Sequence, residues 1–187
     1  MTNTRRQDEQ RFFTQGHYEI HEGESYTATL FDETMGDGEL ITLTFKTPNT
    51  NKHIHMLVDW SSKAGGHLQL CEGATWGRLT GGVTSIFNHR RQNPGTSGLL
   101  ENISQTAFNG NMLLGDTPQS LVNTLVVFSE WLFGTANKGG GARRGIAELI
   151  LQKDTQYAIS VVADGASNAA SMTLHWYEHG LFDKVTS

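Results

Sequence analysis

Little in this chain can cross-link it. Cys71 is the single cysteine among 187 residues, which excludes an intrachain disulfide framework and a cysteine-rich zinc site. It lies in the apolar run Leu68-Gln69-Leu70-Cys71, where a thiol reads as a small core residue rather than a nucleophile. Proline is scarce, with three residues. No apolar run approaches the roughly 20 residues that a helix needs to cross a bilayer. Met1 to Arg6 is followed by further polar residues, not by a signal-peptide core, so synthesis and folding in the cytoplasm are expected. Positive charge is also short: 14 Lys and Arg stand against 19 Asp and Glu, a net charge of −5 with a pI near 5.9. A general nucleic-acid binder needs a basic face, and this balance argues against one.

Catalytic patterns are missing too. There is no G-x-S-x-G and no recognisable Ser/His/Asp order. The run Gly139 to Gly145 contains three consecutive glycines but lacks the Lys-Ser/Thr of a phosphate loop, and a strand pattern follows it where a helix is required. Glu22, Glu24, Asp32, Glu33, Asp37 and Glu39 fall in or beside turn signals, where charge is simply solvated. A non-enzymatic protein without a cofactor is the expectation.

What the chain does have is period-two alternation between turn formers. Ser25 to Phe31 sets Tyr26, Ala28 and Leu30 on one face. Glu39 to Phe45 does the same with Ile41, Leu43 and Phe45, and Lys52 to Trp60 with Ile54, Met56 and Val58. Leu68 and Leu70 share a face further on. Near the C-terminus, Ile146 to Leu151, Gln156 to Ala163 and Ser171 to Tyr177 read as three more strands. Asp164-Gly165-Ala166-Ser167-Asn168 predicts a hairpin between the last two. His17 to His21 reads as an opening strand. Leu121 to Phe133 fits a bulged strand or a short helix, with its β-branched content favouring strand. Long helical periodicity is lacking, so an α/β architecture is not expected.

The fold expected is all-β: an antiparallel β-sandwich or jelly-roll-like barrel over residues 17–187, after an extended N-terminal arm over residues 1–16. Early and late strands should pair across a loop-rich middle, about residues 89–120. A Gly/Arg loop is expected over residues 134–145.

Four sets of residues are candidates for function. Phe12 and Phe13, with Arg5 and Arg6, could dock the arm on a neighbouring subunit, or the arm could be free. Arg90-Arg91 and Arg143-Arg144 are paired cations, either solvated or facing acidic patches of a partner. His53 and His55 share one strand face with Asp59. With His67 on a neighbouring strand they would be a metal-site nucleus; otherwise they form a polar surface row. Trp60, Trp76, Trp131 and Trp176 are core or interface residues, or else a sugar-stacking platform.

Three stretches carry a resemblance: Ile20-His21-Glu22-Gly23-Glu24-Ser25-Tyr26, the segment Asn88 to Ser97, and Leu151 to Tyr157 with Trp176-Tyr177-Glu178. Together they resemble a family of tailed-bacteriophage head-associated structural proteins of the capsid cement or decoration type. The resemblance runs over about residues 17–179. It implies a β-sandwich or barrel, residence on the capsid surface of the virion, contact with the major capsid protein, and self-association, commonly as a trimer. It implies no direct contact with nucleic acid or membrane, and it brings no binding residues with it. Two other roles remain open: a carbohydrate- or receptor-binding β-module of a tail or fibre, and a metal-dependent β-barrel enzyme using His53 and His55.

Overall fold

A computed structural model describes residues 15–76, 85–92, 95, 97, 113–116, 121–122, 125–133 and 143–180. Among the described residues the elements are one helix, α1 (Gln15–Glu22), and twelve strands: β1 (Ser25–Met35), β2 (Leu40–Lys46), β3 (Lys52–Ser62), β4 (Gly66–Glu72), β5 (Thr75–Trp76), β6 (Ile86–Asn88), β7 (Leu113–Asp116), β8 (Leu121–Val122), β9 (Leu125–Leu132), β10 (Arg143–Leu151), β11 (Gln156–Ala163) and β12 (Asn168–Gly180). Every recorded pairing is antiparallel. The first five-stranded sheet runs β10-β3-β12-β1-β6 and the second runs β7-β2-β11-β4-β9, with β5 and β8 as a separate pair. The protein is an all-β sandwich.

The alternation in the sequence explains the core. Tyr26, Ala28, Met56, Val58, Trp60, Met172, Leu174 and Trp176 point inward from the first sheet, and Leu43, Phe45, Leu68, Leu70, Tyr157, Ile159 and Val161 from the second. Tyr26 stacks on Trp176 at 5.6 Å and Phe45 on Tyr157 at 5.6 Å. Such pairs add directional contacts to the burial of large apolar area. The reverse face of the second sheet is buried as well at Thr42, Thr44, Ala158, Ser160 and Cys71. Small residues sit there, and Thr42 and Ser160 satisfy each other at 2.9 Å. Cys71 is thus a core thiol, as its apolar neighbours indicated.

Early and late strands do pair across the middle: β12 lies between β1 and β3, and β11 between β2 and β4. The expected β11–β12 hairpin is wrong, because the two strands belong to opposite sheets. Asp164 to Ser167 crosses the sandwich instead. Asn168 fixes that crossing: its Nδ2 donates to the Gly65 carbonyl at 2.7 Å, and its Oδ1 accepts from Ala64 N at 2.9 Å and from the Ser62 hydroxyl at 3.1 Å.

His17 to His21 is helix, not strand. Gly23, at φ 79°, ends it. Glu24 N bonds to Glu19 O at 2.9 Å and Gly23 N to Ile20 O at 3.2 Å, the paired closure of a helix on a left-handed glycine. The boundary expected at residue 16 therefore falls inside α1. Residues 143–145 of the expected Gly/Arg loop belong to β10, where Arg143 pairs in register with Trp60 and Arg144 with Asp59. Gly115 and Asp116, within the expected loop-rich middle, lie in β7 against β2. Leu125 to Leu132 is strand, and its register against β4 slips between Leu70 and Cys71. Most of the expected loop-rich middle, residues 93–94, 96, 98–112 and 117–120, lies outside the described residues.

Candidate contact surfaces

Gly23 and Glu24, the segment from Asn88 to Ser97, and Trp176 with Glu178 meet at one end of the first sheet. Asn88, on β6, donates from Nδ2 to the Gly23 carbonyl at 2.6 Å and to the Gly95 carbonyl at 3.1 Å, and its Oδ1 accepts from Arg90 N at 2.7 Å. The Ser97 hydroxyl donates to Glu178 Oε1 at 2.5 Å, and the Trp176 indole donates to Ser97 Oγ at 3.2 Å. Glu178 N in turn donates to the Glu24 carbonyl at 2.9 Å. Asn88, Ser97 and Glu178 are all buried, and so is Glu19 of α1. Buried polar groups of this kind must be satisfied: Asn88 bonds backbone groups of Gly23, Gly95 and Arg90, and Ser97 and Glu178 bond each other across 81 positions of chain. This clasp holds the segment after β6 so that Arg90 and Arg91 are exposed. The Arg91 guanidinium sits over the Phe87 ring at 5.7 Å.

The outer face of the first sheet holds five of the eight histidines: His53, His55, His89, His175 and His179. Period-two register does this. His55 lies beside Tyr177 and His53 beside His179 on adjacent strands. The His55 ring stacks on Tyr177 at 4.6 Å, and its Nε2 is 2.7 Å from His179 Nε2. On the other side, both His55 Nδ1 and the Tyr177 hydroxyl meet Glu148 Oε1. Glu148 reaches them from β10, where the register slips between Gly145 and Leu149, the local bending expected of a bulge. Burial first, then the Glu148 carboxylate, push the Tyr177 phenol well above its ordinary range, so it remains a donor.

Further along the face, Asp59 Oδ2 is 3.4 Å from His175 Nε2. His89 Nδ1 is 2.8 Å from Ser25 Oγ. Burial, and secondly His175, lower the His89 imidazole from its usual value. A concavity of about 400 Å³ opens beside His53, with Lys52, Leu151 and Lys153 among its walls.

His53, His55 and Asp59 thus share a face as the spacing predicted. His67 does not join them. It lies on β4 in the other sheet, where it stacks on Trp131 at 4.2 Å. Among the described residues, no three His, Cys, Asp or Glu side chains are placed to hold a metal ion. His179, Tyr177 and Glu148, the actual neighbours of His55, went unnoticed in sequence because β12 and β10 lie about a hundred positions away.

The second sheet ends, among the described residues, at β9. Apart from Ser129, its exposed residues are apolar: Leu125 is 62% exposed, Trp131 50% and, just after the strand, Phe133 88%. Trp131 and Phe133 are near-parallel, with ring centroids 6.4 Å apart. Trp60 and Trp176 are core residues, so the four tryptophans form no common platform. Nothing is described of the Trp76 side chain, nor of those of Arg143 and Arg144. Arg5, Arg6, Phe12 and Phe13 lie outside the described residues.

Comparison of the chain with family models, with curated protein sequences and with solved structures returns no match in any of the three.

Proposed function

We propose that this chain is a non-enzymatic structural protein of a tailed-bacteriophage virion, a cement or decoration protein that binds the assembled shell and stabilises contacts between coat subunits. The observation that supports this reading is one buried clasp that joins Gly23 and Glu24, Asn88 to Ser97, and Trp176 with Glu178, all within the stretches that carry the resemblance. Residues scattered from Gly23 to Glu178 bond to each other and hold Arg90 and Arg91 outward. This arrangement supports reading those residues as scaffolding for a presented loop. The exposed apolar row of β9 supplies a second face suited to a protein neighbour. Binding the assembled shell and not free coat protein would stabilise the particle by mass action. The partners are the major capsid protein and further copies of this chain as a trimer, on the capsid surface, after synthesis in the host cytoplasm.

The test is the location and copy number of the chain in purified virions. It should be present in stoichiometric amount, and particles lacking it should lose heat or osmotic resistance. Virions without a trace of the chain end this reading. A second reading, a carbohydrate-binding module, is favoured by the exposed Trp131–Phe133 pair alone. Glycan binding lost on Trp131→Ala, with no virion association, would replace the first with the second.

A further inference from the structure

The contact between His55 and His179 has a hydrogen-counting problem. The His179 Nδ1 faces the Gly180 carbonyl at 2.8 Å. A carbonyl only accepts, so this nitrogen carries a hydrogen. His55 Nδ1 faces Glu148 Oε1, which also accepts from the Tyr177 hydroxyl. An oxygen accepting from both neighbours requires His55 Nδ1 to carry a hydrogen too. A neutral imidazole has one N–H. Two neutral rings would then aim bare Nε2 lone pairs at each other across 2.7 Å. That contact is repulsive unless something positive lies within it.

We infer that His55 and His179 hold a single shared proton between their Nε2 atoms, a one-cation clasp that ties the end of β12 to β3. The distance selects the occupant. An N–H···N bond suits 2.7 Å. A zinc-like ion about 2.0–2.1 Å from each nitrogen in tetrahedral geometry would hold them roughly 3.3 Å apart. Among the described residues, no third ligand is placed beside the pair. The clasp adds one positive charge beside the Glu148 carboxylate. Among the described residues, the other ionisable groups around it are His53 and Lys52 on β3, Glu24 bonded to Lys52, Tyr177 on β12 and Glu19 on α1. When the proton leaves, both rings keep their Nδ1 partners and the Nε2 atoms must part. The link between β3 and the last residues of β12 loosens. The direction is fixed: closed while the proton is held, open as the pH rises through its release.

The experiment uses the full chain with ¹⁵N-labelled histidine. Nitrogen NMR should give one scalar coupling between the two Nε2 atoms and a hydrogen on each Nδ1, and both signatures should vanish together in a single step as pH rises. Over that step, intrinsic-rate-corrected amide protection at Tyr177 to His179 should fall on the order of tenfold, the worth of about one hydrogen bond. In His179→Gln the same amides should show no such step. If that variant does not fold, His55→Asn provides the same comparison. Independent titration of the two rings, or an unchanged protection step in the folded variant, overturns the inference. One equivalent of Zn²⁺ binding tightly to both Nε2 atoms, as a stoichiometric shift of both, overturns it too and makes the pair a metal site.

Discussion

The Ser97 hydroxyl and the fully buried Glu178 carboxylate are joined at 2.5 Å, 81 positions apart in the chain. Ser97→Ala removes a donor from a buried carboxylate and an acceptor from the Trp176 indole. The expected loss is about 1–3 kcal/mol, read from the shift of the urea midpoint at constant m-value. Ser171→Ala breaks a partly buried hydroxyl pair with Ser61 on the outer face and should cost about 0.5 kcal/mol or less. Equal losses for the two would refute the clasp's structural weight.

Gly95→Ala should destabilise the same clasp. A Cβ built there lies 2.6 Å from the Gly23 carbonyl oxygen, which is backbone and is also bonded to Asn88. About 1–3 kcal/mol is expected. A thermal midpoint equal to wild type would show that the segment moves aside freely.

His89 makes stability depend on pH in a defined direction. Its imidazole is lowered by burial and by His175, so the unfolded chain binds a proton at higher pH than the folded one. Stability from this site is intact above about 6.5 and falls as the pH drops from there through the lowered folded value. His89→Asn should flatten that acid-side loss in thermal midpoints measured from about pH 7.5 to pH 5. Parallel curves for variant and wild type would remove His89 from the account.

Leu174→Ala probes the sandwich interior from the middle of β12. The side chain is completely buried, and a loss of about 2–5 kcal/mol is expected. Thr173→Ala, one position away on the outer face and bonded to the exposed Thr29, should change stability by less than about 1 kcal/mol. The contrast is measured by chemical denaturation.

The double change Trp131→Ser with Phe133→Ser tests the β9 row. Shell binding should weaken on the order of tenfold or more, with little change in folding stability, as for exposed aromatic anchors. Quantitative pelleting with purified shells measures it. Undiminished binding would place the contact elsewhere, with the Arg90 and Arg91 loop next to be examined.

Much of the sandwich was legible because its strands obey one simple rule. Ile54, Met56 and Val58 point in, and His53, His55 and Asp59 point out, as alternation dictates. Tyr18 and Ile20 obey the same rule on paper, yet they belong to a helix. The useful signal was Gly23 as a helix terminator, not a turn between strands. The β11–β12 link misled for another reason. Asp164 to Asn168 has turn chemistry that suits a hairpin or a crossing, and only the distant partners of Asn168 decide between them. The histidine cluster was half visible. His53 and His55 are two apart, but the partners that define the site, Glu148, Tyr177 and His179, are set by strand order, which local pattern does not contain.

The central strand of each sheet comes from the last part of the chain: β11 fills the second and β12 the first. On a ribosome, β1 and β3 would emerge early with a strand-wide gap between them, and β2 and β4 likewise. Neither sheet can close until residues 156–180 are out. Assembly of the two sheets is therefore governed by residues 156–180: contacts of long sequence separation dominate, slow folding is expected, and chains stopping short of β11 expose unpaired strand edges. Truncations before β11 should leave no independently folding remnant of either sheet.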